Sequence, residues 1–186
     1  YTAGVTLGID PRSQKMYILH VWREHVEERS LADALVEQIS AQRPLLVGVE
    51  IPAFKQASTR DLVHRTATML SAKHIATTIT AIPVTTDKVF RAQLPAGRAE
   101  AGFIYADRRA TWWHTFESEL LSFPKGTQDD QVDAISGAVQ LAIERGRPLS
   151  KETKPVIFGG GPTRAAEDDP HTVQRHLRLV AAGRVA

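Results

Sequence analysis

The chain of 186 residues contains no cysteine, which removes disulfides, thiolate metal sites and cysteine nucleophiles together and accords with a reducing compartment. Any chemistry falls to oxygen and nitrogen groups. No apolar run approaches the roughly 20 residues that a membrane-spanning helix needs, and the opening YTAGVTLGID lacks the basic start and apolar middle of a secretory signal. A soluble protein without a membrane partner is therefore expected. No internal repeat is present, and no GxxxxGK(S/T) phosphate loop, since Gly159-Gly160-Gly161-Pro162 has no lysine. The sequence opens on Tyr1 instead of methionine, which leads us to expect a domain of something longer. With 42% hydrophobic and 24% charged residues the composition is that of a globular domain. At this length folding buries roughly 70% of the unfolded chain's surface, so a metal is not needed to hold the fold and would be present for chemistry.

The formal net charge of +2 is too small to argue for a nucleic-acid partner by itself. The distribution says more. Between Ser58 and Arg109 there are eight Lys and Arg against four Asp and Glu, and the remainder carries fifteen against seventeen. A locally basic middle third attracts phosphates through Coulomb forces and counterion release, although a solvated face with ordinary lysines and arginines has the same composition.

Periodicity predicts the elements. GVTLGID at residues 4–10 and KMYILHVWR at 15–23, joined by Pro11-Arg12-Ser13, predict a hairpin. Ser30 is positioned to cap a helix over 30–42 carrying Leu31, Leu35 and Ile39, with Pro44 past its end. LLVGVE is a continuous apolar run of the kind a doubly covered strand shows, ending in an acid before Pro52. A helix follows over 58–75, then a β-branched strand TTITAIPV, a basic helix or turn from Asp87 to Arg98, and a short strand Gly102–Tyr105. Two more helices come last, TWWHTFESELLSF and QDDQVDAISGAVQLAIERG. The Trp112-Trp113 pair is expected to pack a core or a helix seam. The order predicts an α/β fold, a mixed sheet with helices on both sides, over residues 1–150. Residues 151–186 are expected to be a tail or linker, partly helical near HTVQRHLRLVAAGRVA.

Two apolar strands thus end in acids, Asp10 and Glu50, and a third acid group, Asp129, Asp130 and Asp133, opens the last helix. The carboxyl ends of central strands form one rim of an α/β sheet, where sites collect. Asp129 and Asp133 are i and i+4, and Asp130 and Asp133 are i and i+3, so either pair is able to face one point. Carboxylates crowded together repel; a divalent ion relieves that, and oxygen-only ligands suit Mg²⁺ or Mn²⁺. Two such ions about 3.5 to 4 Å apart are a known arrangement for phosphodiester hydrolysis. Each acid also has a plainer role available: Asp10 before a proline as a turn former, Glu50 as a solvated strand end, Asp129 and Asp130 as helix caps.

In their order and local form, GIDP, GVEIPAF, KVFRAQ, EAGFIY and FPKGTQDDQVDAISGA resemble the nuclease domain of the large terminase subunit of tailed double-stranded DNA bacteriophages, in the ribonuclease H-like superfamily. The resemblance covers roughly residues 4–145 and is most specific in the last motif. It implies a ribonuclease H-like mixed five-stranded central sheet flanked by helices. It implies too a two-metal endonuclease that cuts concatemeric DNA during packaging in the cytoplasm of an infected bacterium. An ATPase motor domain of the same chain, a small terminase subunit and a portal are its implied partners.

Carried over by motif, Asp10 would bridge two Mg²⁺ or Mn²⁺ ions, Glu50 would hold one, and Asp130, with Asp133 and Asp129 behind it, would supply the rest. Gln128 stands where many members have histidine. Lys88 is expected near the scissile phosphate, and Arg60, Arg65, Arg91 and Arg98 on the DNA backbone. A Holliday-junction resolvase of the same superfamily is the nearest alternative. A non-catalytic DNA-binding or docking module of a packaging motor is the other.

Overall fold

The computed structural model describes residues 1–51, 56–84, 86–145 and 178–182. The breaker Pro52, the expected helix stop at Gly146, the triple glycine and most of the expected tail lie outside these residues. The first two strands form the predicted hairpin, β1 (Thr2–Ile9) and β2 (Met16–Glu24), antiparallel with a register shift between Thr6 and Leu7. Every residue of β1 is buried. A 3-10 turn at Glu28–Ser30 leads into α1 (Leu31–Gln42). Ser30 has helical φ and ψ, and its hydroxyl caps nothing, because the chain is already coiled when it reaches the position a capping serine normally holds extended.

Next come β3 (Leu46–Ile51), α2 (Gln56–Ala72) and β4 (Thr78–Pro83). The helix α3 (Lys88–Glu100) is capped by Asp87, whose side chain accepts from the amides of Val89 and Phe90, and it carries Pro95 inside. A three-residue strand, β5 (Ile104–Ala106), follows, then α4 (Trp113–Ser122) and α5 (Asp130–Arg145). A final strand, β6 (Arg178–Ala182), falls within the stretch expected to be a tail or a loose helix.

The fold is mixed α/β, as expected. Strand pairing gives a three-stranded unit, β1 between β2 and β6's side of the sheet with β5 parallel on the outer edge of β2, and a parallel pair, β3 with β4. β6 lies between β1 and β3, antiparallel to the first and parallel to the second, giving the order β4-β3-β6-β1-β2-β5. The two strands that end in acids are therefore not hydrogen-bonded neighbours. These pairings establish the mixed sheet but do not reproduce a five-stranded ribonuclease H-like one strand for strand.

Alternation sorts the two faces. Ala3, Val5, Leu7 and Ile9 pack with Ala134, Ile135, Ala138, Val139 and Leu141 of α5 and with Phe116 of α4. Trp112 and Trp113 lie against this core, with ring centroids 5.9 and 6.4 Å from Phe116, as expected of them. On the other face, Val47 and Val49 of β3 pack with Leu31, Leu35 and Ile39 of α1 and Leu62 and Leu70 of α2. Each such side chain taken from water stabilises the fold by roughly 1.5–3 kcal/mol before entropy is counted. Residues Gln131–Val139 of α5 are all buried, and the small residues Ala134, Ser136, Gly137 and Ala138 permit that close approach. Gly48 has the same role on β3: a Cβ there would sit 2.9 Å from Leu141 and closer still to Ile82, so only glycine lets α5 lie this near the strand.

Candidate active site

The packing of β3 decides where Glu50 points. Val47 and Val49 face α1 and α2, so alternation turns Leu46, Gly48 and Glu50 toward α5. Glu50 is 4% exposed. Asp133, in the first turn of α5, is equally buried. Both meet Arg91 of α3: one terminal guanidinium nitrogen donates to Asp133 Oδ1 at 2.5 Å and stands 3.9 Å from Glu50 Oε1. The other terminal nitrogen donates to the carbonyl of Thr86 at 3.0 Å, and the buried Nε finds no partner among the described residues. One turn earlier on α3, Lys88 reaches Asp129, which lies one turn before Asp133. Two cations at i and i+3 thus face two acids at i and i+4 across the α3–α5 seam.

Burial pushes the Asp133 carboxyl above its ordinary value, against the pull of Arg91. Asp130 is raised as well, by burial first and then by charges that include neighbouring Glu119 and Asp129. Its surroundings are a separate group. Glu119 of α4 is 5% exposed and accepts two hydrogen bonds from Gln131, one from the backbone amide and one from the side-chain amide, each at 2.6 Å. Arg23 of β2 stands 3.8 Å from Glu119 and donates to Gln128 at 2.8 Å. Together these groups fasten the start of α5 to α4 and β2.

Sequence reasoning missed Glu119 and Arg23. A signal was there: Glu119 falls three residues after Phe116 on the buried stripe of α4, where an acid has to have a partner.

The expected site residues divide accordingly. Glu50, Asp133, Asp129, Lys88 and Arg91 are brought together. Of the three aspartates, Asp133 and not Asp130 stands beside Glu50. Arg91, expected on the DNA backbone, is only 10% exposed in its side chain and stands between Asp133 and Glu50. Asp10 is taken up by its own turn: Oδ1 accepts from the amide of Arg12 at 3.0 Å, and Oδ2 from the amide of Ser13 at 3.3 Å and from the Ser13 hydroxyl. These bonds, the Ser13 hydroxyl first, hold its carboxyl below the usual range.

Arg60 and Arg65 are exposed on α2, the latter 4.0 Å from Asp61. Arg98 is half-buried over the Phe103 ring and donates to the carbonyl of Gln14 at 3.5 Å; it ties α3 to the hairpin turn.

The raised carboxyl of Asp130 gives a testable sign. A carboxyl whose folded value exceeds its unfolded one favours the folded state only while protonated. Above the folded value its ionised form weighs against folding. Asp130→Asn is therefore expected to raise the melting temperature at pH 7 by a few degrees, and the gain should fade as the pH falls toward the ordinary carboxylate range. Thermal melts of both proteins across that range check it, and an unchanged or lower melting temperature at pH 7 would contradict it.

Two Mg²⁺ or Mn²⁺ ions are implied by the resemblance, and the donor chemistry, carboxylate oxygens throughout, suits them. The arrangement does not. The place between Glu50 and Asp133 is filled by a guanidinium, Asp129 is held by an ammonium, and Asp10 is folded into its turn. Among the described residues no three His, Asp or Glu side chains stand close enough to share an ion. Among those residues, too, no helix is long and apolar enough to cross a membrane. The chain matches no protein-family model, no curated protein and no solved structure.

Proposed function

We propose that the chain is an endonuclease domain that hydrolyses phosphodiester bonds of double-stranded DNA, in a ribonuclease H-like setting and dependent on Mg²⁺ or Mn²⁺. The observation that carries this reading is the burial of two acids from distant parts of the sequence, Glu50 and Asp133, at one point. Burying like charges together is costly, and such clusters gather where a fold does chemistry. The KVFRAQ segment adds Lys88 at the rim of the same point, half-buried. From there an ammonium is placed to meet a phosphate. Exposed Arg60 and Arg65 supply backbone attraction that carries no sequence preference.

By the same resemblance the substrate is concatemeric viral DNA in the cytoplasm of an infected bacterium. The partners are an ATPase motor domain of the same chain, the small terminase subunit and the portal.

Incubation of supercoiled plasmid with Mn²⁺ or Mg²⁺ tests the reading. Nicked and linear products are expected with the ions and none with EDTA; products that persist in EDTA would sink the metal-dependent mechanism. A second reading, a DNA-binding or docking module without catalysis, is favoured by the Arg91 contacts, which already set a cation beside both acids. DNA binding with no cleavage under either ion would select it over the nuclease.

A further inference from the structure

At the β5 edge of the sheet, four side chains share one face. Met16, Ile18 and Ile104 pack into the core shared with α5, so alternation turns Lys15, Tyr17, Phe103 and Tyr105 the other way. Tyr17 and Tyr105 are register partners on β2 and β5, and their rings stack with centroids 5.4 Å apart. Phe103 is set beside the start of β2, its carbonyl accepting from the amide of Met16 at 2.8 Å. Tyr105 is 41% exposed and Phe103 38%. A cation lies by each of these two rings: Lys15 Nζ stands 5.2 Å from the Tyr105 centroid, and the Arg98 guanidinium 5.9 Å from that of Phe103.

Cross-strand aromatic pairs steady a sheet, which accounts for Tyr17 against Tyr105. It does not account for two large rings left in water with a cation at each. Residues 10–15 and 98–109, which surround the patch, carry five Lys and Arg against three Asp and Glu. Two of those acids are occupied, Asp10 by its own turn and Asp107 by the amide and guanidinium of Arg109. The surface is thus aromatic and cationic at once. A polymer that offers flat rings and negative charge in alternation matches it, and that is a nucleic-acid strand whose bases are unpaired. In a duplex the same ring faces are covered by their neighbours.

We infer that this face binds single-stranded nucleic acid, with bases stacked on Tyr105 and Phe103, Tyr17 backing the first ring, and Lys15 and Arg98 meeting the flanking phosphates. The place is separate from the candidate active site, since β6, β1 and β2 lie between β5 and the strand that carries Glu50. The inference rests on these side chains and not on the nuclease reading.

Fluorescence anisotropy of a labelled oligothymidylate of about 15 nucleotides, within the usual footprint of such surfaces, tests this on the whole chain in EDTA, where metal-dependent cleavage does not intervene. Tyr105→Ala should weaken binding about tenfold, an ordinary loss on removing one stacking ring, whereas Tyr105→Phe should bind as the parent does. Lys15→Gln should lower the slope of log affinity against log salt by about 0.7. Duplex of the same length should bind Tyr105→Ala and the parent equally, because its bases are closed to the ring. If Tyr105→Ala melts well below the parent, Tyr105→Leu and Phe103→Leu keep apolar volume without a ring and carry the test. No binding of the oligonucleotide by the parent, or equal binding by the parent and the ring-deleted variants, would overturn the inference. So would equal losses on single strand and duplex, the mark of a general loss of fold. Plasmid cleavage with Mn²⁺ is scored apart: oligonucleotide binding without cleavage leaves this inference and removes the nuclease, and cleavage without such binding does the reverse.

Discussion

Glu119→Ala is expected to lower the unfolding free energy by roughly 3–5 kcal/mol, the range found when one partner of a buried charged pair is removed. Two donors lose their acceptor at once, the backbone amide of Gln131 and its side-chain amide, and Arg23 loses the carboxylate 3.8 Å from it. Gln131 is 1% exposed, so water cannot take over. Glu119→Gln retains the shape and one acceptor and should cost less, because its own amide nitrogen would face that of Gln131 and the charge opposite Arg23 is gone. Urea unfolding of the two variants beside the parent measures this. Domains of this kind hold about 5–15 kcal/mol in all, so the alanine variant should be marginal at 37 °C. A loss under about 1 kcal/mol, the size of an ordinary solvent-compensated hydrogen bond, would show that Glu119 does not fasten α5.

The second large effect is on the proposed activity. Glu50→Gln and Asp133→Asn should each slow plasmid cleavage by on the order of a thousandfold, equivalent to about 4 kcal/mol of barrier. Asp130→Asn should stay within about tenfold, roughly 1.4 kcal/mol. Both inactive variants are expected to fold, since each keeps the side chain's shape and removes one of two like charges held beside Arg91. Circular dichroism and melting temperature establish that before rates are compared. Full activity in Asp133→Asn together with loss in Asp130→Asn would move the site from the α3–α5 seam to the Arg23 side of α5.

The difference between those aspartates marks where the sequence stops being readable. Apolar runs announced β1, β3 and α5, and the strand-end position of Glu50 followed from LLVGVE alone. Which of Asp129, Asp130 and Asp133 turns inward did not follow. All three sit within five residues, and the choice depends on α3 presenting Lys88 and Arg91 at the matching spacing. Arg91 itself was expected on DNA because charge counts weigh a cation by its type and not by its partners; only its tertiary setting shows it buried.

Asp10 was legible in one sense and hidden in another. Asp-Pro-Arg-Ser is readable as a turn, yet whether the carboxylate serves the turn or the rim is decided by the Ser13 hydroxyl. β6 was not legible at all. Five residues, RLVAA, among charges carry little periodicity, and their pairing partners β1 and β3 are more than a hundred residues away.

Pro95 has a mechanical bearing on α3. A prolyl nitrogen has no hydrogen to donate, and four residues earlier the backbone carbonyl it would have served belongs to Arg91. The rod is thus weakest one turn beyond the side chain that spans both acids. The carbonyl freed there belongs to the same residue whose guanidinium meets Asp133 and Glu50, so a gap in the helix's own ladder falls at the turn that carries the cations of the candidate site.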